Sequence, residues 1–273
     1  MSVLHAIVLG IVQGLSEFLP ISSSGHLDVV PWFLGWEELS AELDLTFDVA
    51  LHVGTFLGAL VYFRADVAML VRGAVRAVRE RSMADRDQRL AVLLALASVP
   101  AATVGAVLDA VIDGQYGPIW IVGVMLIVFG VVLFWADARP ERRGIDSLTA
   151  RDAVLMGAAQ ALALQPGVSR SGATISMGRW LQLDRDAATR MSFLMSLPIT
   201  AGAFVYKAGD VVASGGLPDG FLAPFLWGIA ASGVTGFVAV WGLLRLVRTR
   251  TFAPFVVYRL VIGVVVILVS ALR

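Results

Sequence analysis

The chain has 273 residues, of which 58% are hydrophobic and only 15% charged, and its formal net charge is zero. A soluble domain is about 25% charged and about 45–50% apolar, so this composition excludes an ordinary soluble protein and predicts an integral membrane protein. Because the sequence has no cysteine, disulfide and thiolate chemistry are also excluded.

The first predicted element is a pair of short helices, over about 3–18 and 22–35, interrupted at Leu19-Pro20. At about 1.5 Å per residue, the first helix reaches only about 24 Å, which is too short to cross a membrane. We therefore expect a re-entrant hairpin, which enters the membrane and returns to the same side. The N-terminus lacks the charged region of a cleavable signal, so the hairpin is expected in the mature protein.

Full membrane spans follow, with a second short pair between them. An acidic loop over 37–45 precedes spans at about 46–63, 90–112 and 118–136, and a tight acidic turn over 113–117 joins the last two. The second pair of short helices, at about 152–164 and 171–182, is interrupted at Gln165-Pro166-Gly167. Further spans at about 187–206, 221–244 and 252–272 complete the chain.

The basic residues determine the expected orientation. Most of them are arginines in four loop segments, at 64–89, 139–151, 179–190 and 245–250. The positive-inside rule places these segments in the cytoplasm, and the run 72–89 is predicted to be a solvated face that touches anionic lipid. Only Lys207 and Arg273 then lie outside, while Arg170 and Arg259 lie within the membrane.

The two interruptions are copies of one motif, separated by 147 residues. This offset aligns Gln13 with Gln160, Ser22 with Ser169, Ser24 with Ser171 and Gly25 with Gly172. Three spans separate the hairpins, so the hairpins enter from opposite sides and the repeats have inverted topology. The predicted fold is one all-α membrane domain of six transmembrane helices and two re-entrant hairpins, with repeats over 1–137 and 138–273.

Each interruption places a helix N-terminus inside the membrane, at Ser22–Ser24 and at Ser169–Ser171. A helix N-terminus has free N–H groups and about half a positive charge, so two of them together would bind an anion such as phosphate. Arg170 lies at the second interruption. A buried arginine is costly in a bilayer, usually marks function, and has the geometry to bind phosphate oxygens.

Acid–base groups lie at the first interruption. Gln13 and Glu17 are four residues apart and share one helix face. Glu17 can serve as a general base or metal ligand, and Gln13 as a neutral ligand or hydrogen-bond donor. His26 lies about one turn after Ser22 and Ser23, which allows a nucleophile–base pair. Together these groups predict hydrolysis of a phosphate ester or anhydride on a lipid.

Structural roles stay open for several of these residues. Small and hydroxyl residues are common where membrane helices pack, and the stretch 171–174 also fits a helix start with packing contacts. Glu17 and Arg170 could form a structural ion pair with each other. Asp48 and His52, again four residues apart, either support the site or face an outer vestibule.

A transporter is the alternative from another class. Inverted repeats with broken helices bind anions in secondary transporters. Such a protein would move an anionic or lipid-phosphate substrate, or act as a flippase, without hydrolysis.

Two motifs resemble those of the undecaprenyl-diphosphate phosphatase family, also called bacitracin-resistance proteins. They are Gln13-Gly-x-x-Glu17-Phe-Leu-Pro-Ile-Ser-Ser-Ser-Gly-His26 and Pro166-Gly-x-Ser-Arg-Ser-Gly-Ala-Thr174. The resemblance covers essentially the whole chain, including the order of spans. It implies removal of the terminal phosphate of a polyprenyl diphosphate at the outer face of the plasma membrane. This reaction recycles the lipid carrier for cell-envelope synthesis and confers bacitracin resistance.

The resemblance also implies residue roles. The implied catalytic residues are Glu17, Ser23, His26 and Arg170, and the attacking group is left open between Ser23, His26 and water. The expected substrate-binding residues are Gln13, Ser22, Ser24, Ser169, Ser171 and Thr174.

A divalent cation, Mg or Ca, is the implied cofactor. The first acidic position of the motif is often Glu in the family and is Gln13 here. The metal would therefore be held by Glu17 with the diphosphate and waters, or with Asp48 as a further acid. The expected partners are the polyprenyl diphosphate and membrane lipids, with no nucleic acid, and homodimerisation is left open.

Overall fold

The computed structural model describes residues 1–36, 40–109, 118–213, 217–218 and 220–273. The predicted loop at 37–45 lies partly outside these ranges, as does the end of the predicted span 90–112, and the turn at 113–117 lies wholly outside them. The helices are α1 (Val3–Phe18), α2 (Ser23–Leu34), α3 (Ala41–Tyr62), α4 (Arg64–Glu80), α5 (Arg86–Asp109), α6 (Trp120–Asp137), α7 (Ala150–Leu162), α8 (Arg170–Trp180), α9 (Arg185–Ala213), α10 (Leu222–Leu246) and α11 (Ala253–Leu272). A short 3₁₀ helix, Ile145–Ser147, precedes α7.

Six of the described helices are long and apolar enough to cross a membrane, and each overlaps one predicted span. They are Leu43–Tyr62, Arg86–Val107, Trp120–Asp137, Arg185–Tyr206, Leu222–Leu246 and Ala253–Leu272. This confirms the prediction of an all-α protein with six membrane spans. The re-entrant position of the short helices and the inverted topology stay predictions.

The Arg-rich segment after the first span contains a helix that the sequence interpretation missed. The sequence predicts a loop over this segment, but α4 spans most of it. Leu70, Gly73 and Ala77 recur at helical spacing and are buried. A Cβ on Gly73 would lie 2.5 Å from the backbone oxygen of Asp87, so α4 packs closely on the start of α5.

The first interruption follows from proline chemistry. Leu19 is extended, with φ −67° and ψ 141°, because a residue before proline is disfavoured in the α region. After this break, the backbone of Ser22 adopts a φ of 77°, which is rare outside glycine. The Ser22 Oγ then accepts a hydrogen bond from Gly25 N at 3.4 Å and caps α2.

The second interruption repeats this local structure. Ser169 has a φ of 72°, and its Oγ accepts from Gly172 N at 3.0 Å. These are the positions that the offset of the repeat aligns with Ser22 and Gly25. Two serines in the same uncommon conformation, each capping the helix that follows, therefore support the internal repeat seen in the sequence.

The short helix before the second interruption begins at a capping box. Thr149 and Asp152 exchange hydrogen bonds between side chain and backbone. Arg143 Nη2 also donates to Asp152 Oδ2 at 2.5 Å. Burial raises the pKa of Asp152, but the hydrogen bonds from Arg143 and Thr149 outweigh it and hold the pKa below its ordinary value. The start of α7 is thereby anchored at the Arg-rich end of the bundle.

Helix packing is duplicated between the two halves. The offset makes α1 equivalent to α7, and the order of the spans pairs α3 with α9, α5 with α10, and α6 with α11. The contact between α1 and α10 has its counterpart between α7 and α5, and the contact between α3 and α10 has one between α9 and α5. The helices α6 and α11 pack on each other, as do α3 and α9. Such paired contacts are expected when two related halves pack across a pseudo-twofold axis.

Close helix packing fixes the position of α1, which carries Gln13 and Glu17. A Cβ on Gly14 would lie 1.9 Å from Thr235 Oγ1 of α10, so only glycine permits this approach. At the end of α1, Phe18 is buried with its ring edge against Phe193 of α9, at a centroid distance of 5.1 Å. The last turn of α1 is therefore held from two sides.

Candidate active site

The two interruptions touch each other directly. Gly167 N donates to Ser22 Oγ at 3.1 Å, and Ser171 Oγ donates to the carbonyl of Leu19 at 3.0 Å. Each interruption thus supplies a hydrogen-bond partner for the backbone of the other. The predicted convergence of the two polar motifs is observed.

Arg259 of α11 forms hydrogen bonds with both interruptions. Its side chain is 0% exposed, and its guanidinium donates to backbone carbonyls on both interruptions. The bonds from Nη1 to Pro20 O and from Nη2 to Gly167 O are 3.1 and 2.9 Å. Further bonds reach the carbonyls of Val168, Met125 and Leu126. An arginine can satisfy so many acceptors because its fork carries five N–H groups.

Glu17 is the centre of the polar cluster that results. Ser23 Oγ donates to Glu17 Oε2 at 2.5 Å, and Gln13 Nε2 donates to the same oxygen at 3.0 Å. Arg170 Nη2 donates to Glu17 Oε1 at 2.6 Å. Four of the predicted site residues, two from α1 and one from the start of each following short helix, therefore meet at one carboxylate.

The surroundings of Glu17 and Arg170 complete this cluster. His52 Nε2 lies 3.5 Å from Glu17 Oε2, which places His52 beside the site rather than in a separate vestibule. Arg170 Nη1 donates to Thr200 Oγ1 at 3.3 Å. The Arg170 side chain is 19% exposed whereas that of Glu17 is 5% exposed, so the cluster is reachable from the arginine side.

Asp48 is placed differently from His52, although the two are one turn apart on α3. Its backbone carbonyl accepts from His52 Nδ1 at 2.7 Å. Its carboxyl group interacts electrostatically with Asp44 and Asp28. Asp28, on α2, therefore lies near the two acids on α3.

His26 does not form the predicted pair with a serine hydroxyl. Its Nδ1 bonds to the carbonyl of Ser22 at 2.7 Å, and its Nε2 bonds to the hydroxyl of Tyr258 at 2.7 Å. The turn at Ser22 directs the hydroxyl of Ser23 toward α1 and the ring of His26 toward α11. The serine–base pair that the structure contains is therefore Ser23 with Glu17.

The hydroxyl groups predicted to bind substrate mostly make contacts within the protein. Ser169 Oγ and Ser171 Oγ lie 3.2 Å apart, and Thr174 Oγ1 bonds to Ser192 Oγ at 2.6 Å. Ser22 and all four of these residues are buried, whereas Ser24 is partly exposed. Capping and packing account for these contacts, and direct binding of phosphate by these hydroxyls stays a prediction.

The residues around Glu17 offer oxygen ligands for a hard cation. Gln13 Oε1 is buried and has no hydrogen-bond partner among the described residues, although the other amide atom binds Glu17. Within the described ranges, no group of three or more His, Cys, Asp or Glu side chains could hold a metal. Glu17 and Gln13 therefore fit a Mg²⁺ or Ca²⁺ ion only if substrate oxygens and waters supply the other ligands.

A cavity at the Arg-rich end of the molecule contains none of the predicted site residues. It has a volume of about 370 Å³ and lies between α4, α5 and α9. Asp66 and Arg190, which line it, form an ion pair at 2.9 Å. The cavity is thus a charge-paired region of the Arg-rich end and not part of the cluster around Glu17.

Sequence reasoning missed three residues that contact the site. Arg259 was placed within the membrane without a role, although a lone arginine in a span of hydropathy 2.6 was a usable signal. Tyr258 and Thr200 gave no signal, because a tyrosine or threonine in an apolar helix is common. Their contacts with His26 and Arg170 depend on packing between distant segments.

Comparison with known proteins places the chain in a family. A family model described as "Bacitracin resistance protein BacA" matches residues 6–265. An undecaprenyl-diphosphatase of Geobacter sulfurreducens is 48% identical over 265 residues, which are 96% of either chain. Proteins of the same name from Pelobacter propionicus and Pelotomaculum thermopropionicum are 47% and 42% identical, over 96% and 100% of this chain and 95% and 98% of theirs. The chain belongs to the bacitracin resistance protein BacA family.

Proposed function

We propose that this protein is a membrane phosphatase that converts a polyprenyl diphosphate, such as undecaprenyl diphosphate, to the monophosphate and inorganic phosphate. The observation that carries the proposal is the contact of Ser23 and Arg170 with the same buried carboxylate, Glu17. A transporter needs a cation for an anion, but it does not need a hydroxyl bonded to a base. The names of the relatives, undecaprenyl-diphosphatase, also favour hydrolysis over transport or flipping without hydrolysis.

The first chemical step uses the Ser23–Glu17 pair. Glu17 Oε2 accepts the proton of Ser23 Oγ, and the oxygen attacks the terminal phosphorus. The bond between this phosphorus and the bridging oxygen breaks, and the polyprenyl monophosphate leaves. Water then attacks the phosphoseryl group, releasing inorganic phosphate, while the proton on Glu17 returns to the serine oxygen.

Arg170 binds the phosphate groups in this mechanism. One of its terminal nitrogens is bonded to Glu17 and the other to Thr200, so the guanidinium is held in place before substrate arrives. Its remaining N–H groups can donate to phosphate oxygens. The N-terminus of α2, which begins at Ser23, contributes partial positive charge at the same point.

The lipid tail and the membrane orientation complete the proposal. The spans expose many large apolar side chains, among them Val257, Val261 and Leu268 of α11, against which a polyprenyl chain can lie. The Arg-rich loops face the cytoplasm of a cell whose plasma membrane holds the protein, and the site opens to the outer side. The phosphatase would then recycle the lipid carrier for cell-envelope synthesis.

A divalent cation, Mg²⁺ or Ca²⁺, is proposed as cofactor. Glu17 and Gln13 Oε1 would hold it, with diphosphate oxygens and water as the other ligands. When bound, the cation supplies positive charge to the diphosphate. The protein residues alone still orient the serine and hold its proton.

Replacing the attacking hydroxyl gives a direct test. In purified protein, Ser23→Ala is expected to lower phosphate release from a long-chain prenyl diphosphate by about 10³-fold, since a nucleophile has no substitute at this position. Ser98→Ala is the matched control, because among the described residues the Ser98 hydroxyl bonds only to its own helix, at Leu94 O. Activity of Ser23→Ala near that of the control, or lipid flux without hydrolysis in reconstituted wild type, would overturn the proposal.

Removal of metal gives a second test. Treatment of the purified enzyme with a chelator is expected to lower phosphate release at least about tenfold, and Mg²⁺ or Ca²⁺ to restore it, because protein charges alone do not neutralise a diphosphate. Binding of Mn²⁺ measured by electron paramagnetic resonance should weaken in Gln13→Ala. Full activity in excess chelator would rule out the cofactor but leave the serine mechanism intact.

A further inference from the structure

His26 is held at both ring nitrogens by groups of the protein. A carbonyl can only accept a hydrogen bond, so the bond to Ser22 O at 2.7 Å requires a proton on Nδ1. In the neutral ring, Nε2 then carries the lone pair, and the Tyr258 hydroxyl must donate to it at 2.7 Å. The two contacts define one tautomer and leave no ring nitrogen free for Ser23 or substrate.

The contact to Ser22 bears on the placement of the attacking serine. The carbonyl of Ser22 accepts from both the backbone N, at 3.2 Å, and the ring Nδ1 of His26. Ser22 has a positive φ, a conformation that persists only when the surroundings enforce it. The next residue is Ser23, whose Oγ lies 2.5 Å from Glu17 Oε2. Movement of the Ser22 carbonyl would therefore move the hydroxyl away from its base.

The second interruption has the same turn as the first but lacks the histidine contact. There, Ser169 adopts the same positive φ, and its carbonyl accepts the backbone N of Ala173 at 2.8 Å. Ala173 occupies the position equivalent to His26 and has no polar side chain. The turn thus forms without an imidazole, and the histidine contact is confined to the interruption that carries Ser23.

Tyr258 is placed to hold the imidazole. Its ring lies nearly parallel to that of His26, at a centroid distance of 5.6 Å and an angle of 14°. The tyrosine is 39% exposed and His26 is 8% exposed, so the contacts from Tyr258 through His26 to Ser22 run from a partly exposed residue to buried ones. The next residue on α11 is Arg259, which is anchored to both interruptions.

We propose that Tyr258 is a positioning residue for the phosphatase reaction and acts through His26 on Ser23. Its hydroxyl fixes His26 in the Nδ1–H tautomer, and His26 holds the Ser22 carbonyl so that the Ser23 hydroxyl meets Glu17. His26 is accordingly a positioning residue too, and it neither attacks phosphorus nor accepts the serine proton. This inference rests on the proposed phosphatase function.

Substitutions at His26 separate positioning from chemistry. Asparagine can place an N–H where Nδ1–H lies, but it cannot act as a base or nucleophile. We expect His26→Asn to keep kcat within about tenfold of wild type. A tenfold change corresponds to about 1.4 kcal/mol in activation free energy, which is about the contribution of one hydrogen bond. We expect His26→Ala and His26→Gln, which do not supply this donor, to lose about 100-fold. If His26→Asn is as inactive as His26→Ala, the ring itself reacts and the proposal is overturned.

Substitution of the tyrosine tests its role separately. Tyr258→Phe keeps the ring and should fold, and we expect kcat to fall about tenfold with KM within about twofold, the effect of one lost hydrogen bond. Tyr62→Phe is the matched control, because the Tyr62 ring packs on Phe63 and Phe237 and its hydroxyl has no partner among the described residues. An unchanged kcat in Tyr258→Phe would overturn the proposal.

A spectroscopic measurement tests the role of Tyr258 without relying on phosphatase activity. Nitrogen NMR of the protein labelled with ¹⁵N-histidine should show His26 as the Nδ1–H tautomer in wild type and as a mixture in Tyr258→Phe. This readout needs no turnover. Absence of phosphate release in wild type would reject the phosphatase, whereas an Nε2–H tautomer in wild type would reject the role of Tyr258.

Discussion

Glu17→Gln is expected to lower kcat for polyprenyl diphosphate hydrolysis by about 10³-fold, within the range for loss of a general base. Glutamine has the same shape and can still accept from Arg170 Nη2, which now lies 2.6 Å from Glu17 Oε1. It cannot take the proton of Ser23, whose hydroxyl lies 2.5 Å from Oε2. The loss should therefore appear in kcat, with little change in KM.

Steady-state phosphate release by purified protein in detergent measures this effect. Glu80→Gln is the control, because Glu80 is exposed on α4 and, within the part of the chain that the structure describes, accepts a hydrogen bond only from Gln88, which a glutamine can also receive. The competing interpretation, a purely structural ion pair of Glu17 with Arg170, predicts the opposite pattern. Glu17→Gln would then lower the unfolding temperature while retaining wild-type kcat, and that result would contradict Glu17 as base.

The parts of the fold that could be predicted are those with local causes. A proline disfavours the α conformation at the residue before it, as at Leu19, and a serine before a short helix caps it. The spacing of Gln13 and Glu17 places them on one helix face without knowledge of any other segment. Composition alone then predicts membrane spans, and the positions of all six were anticipated to within a few residues.

The parts that could not be predicted depend on packing between distant segments. His26 lies one turn from Ser22 and Ser23, and sequence spacing favoured a serine–histidine pair. The ring instead meets Tyr258, which lies 232 residues away along the chain. The helix α4 was hidden for another reason, since its many arginines obscure the few buried positions that pack on α5.

The two repeats are alike in backbone and different in chemistry. The offset that aligns Ser22 with Ser169 also aligns Ser23 with Arg170 and Glu17 with Leu164. The first interruption thus supplies a hydroxyl and a carboxylate, and the second supplies a cation at the position of the hydroxyl. The two similar turns form an asymmetric site in which an acid, a nucleophile and an arginine meet, because the first repeat lacks the arginine and the second lacks both the acid and the hydroxyl at these positions.

Arg259→Met is expected to lower the free energy of unfolding by about 3–5 kcal/mol, because a buried carbonyl left without a partner costs about 1–3 kcal/mol and several would be left. The guanidinium donates to Pro20 O on one interruption and to Gly167 O and Val168 O on the other. Methionine fills a similar volume but removes these bonds, the bonds to Met125 O and Leu126 O, and the positive charge. Phosphate release should also fall, since Ser23 and Arg170 lie on the two segments that Arg259 joins.

Thermal unfolding in detergent, followed by circular dichroism, measures the change in stability. Arg250→Met is the matched control, because Arg250 is exposed in the link before α11 and should change stability by no more than about 0.5 kcal/mol. Arg259→Lys distinguishes charge from geometry, since an ammonium group cannot span acceptors on both interruptions. If the lysine variant restored both stability and activity, a positive charge alone would hold the two interruptions together. If it restores neither, the site depends on the fork of hydrogen bonds that keeps Ser23 and Arg170 against Glu17.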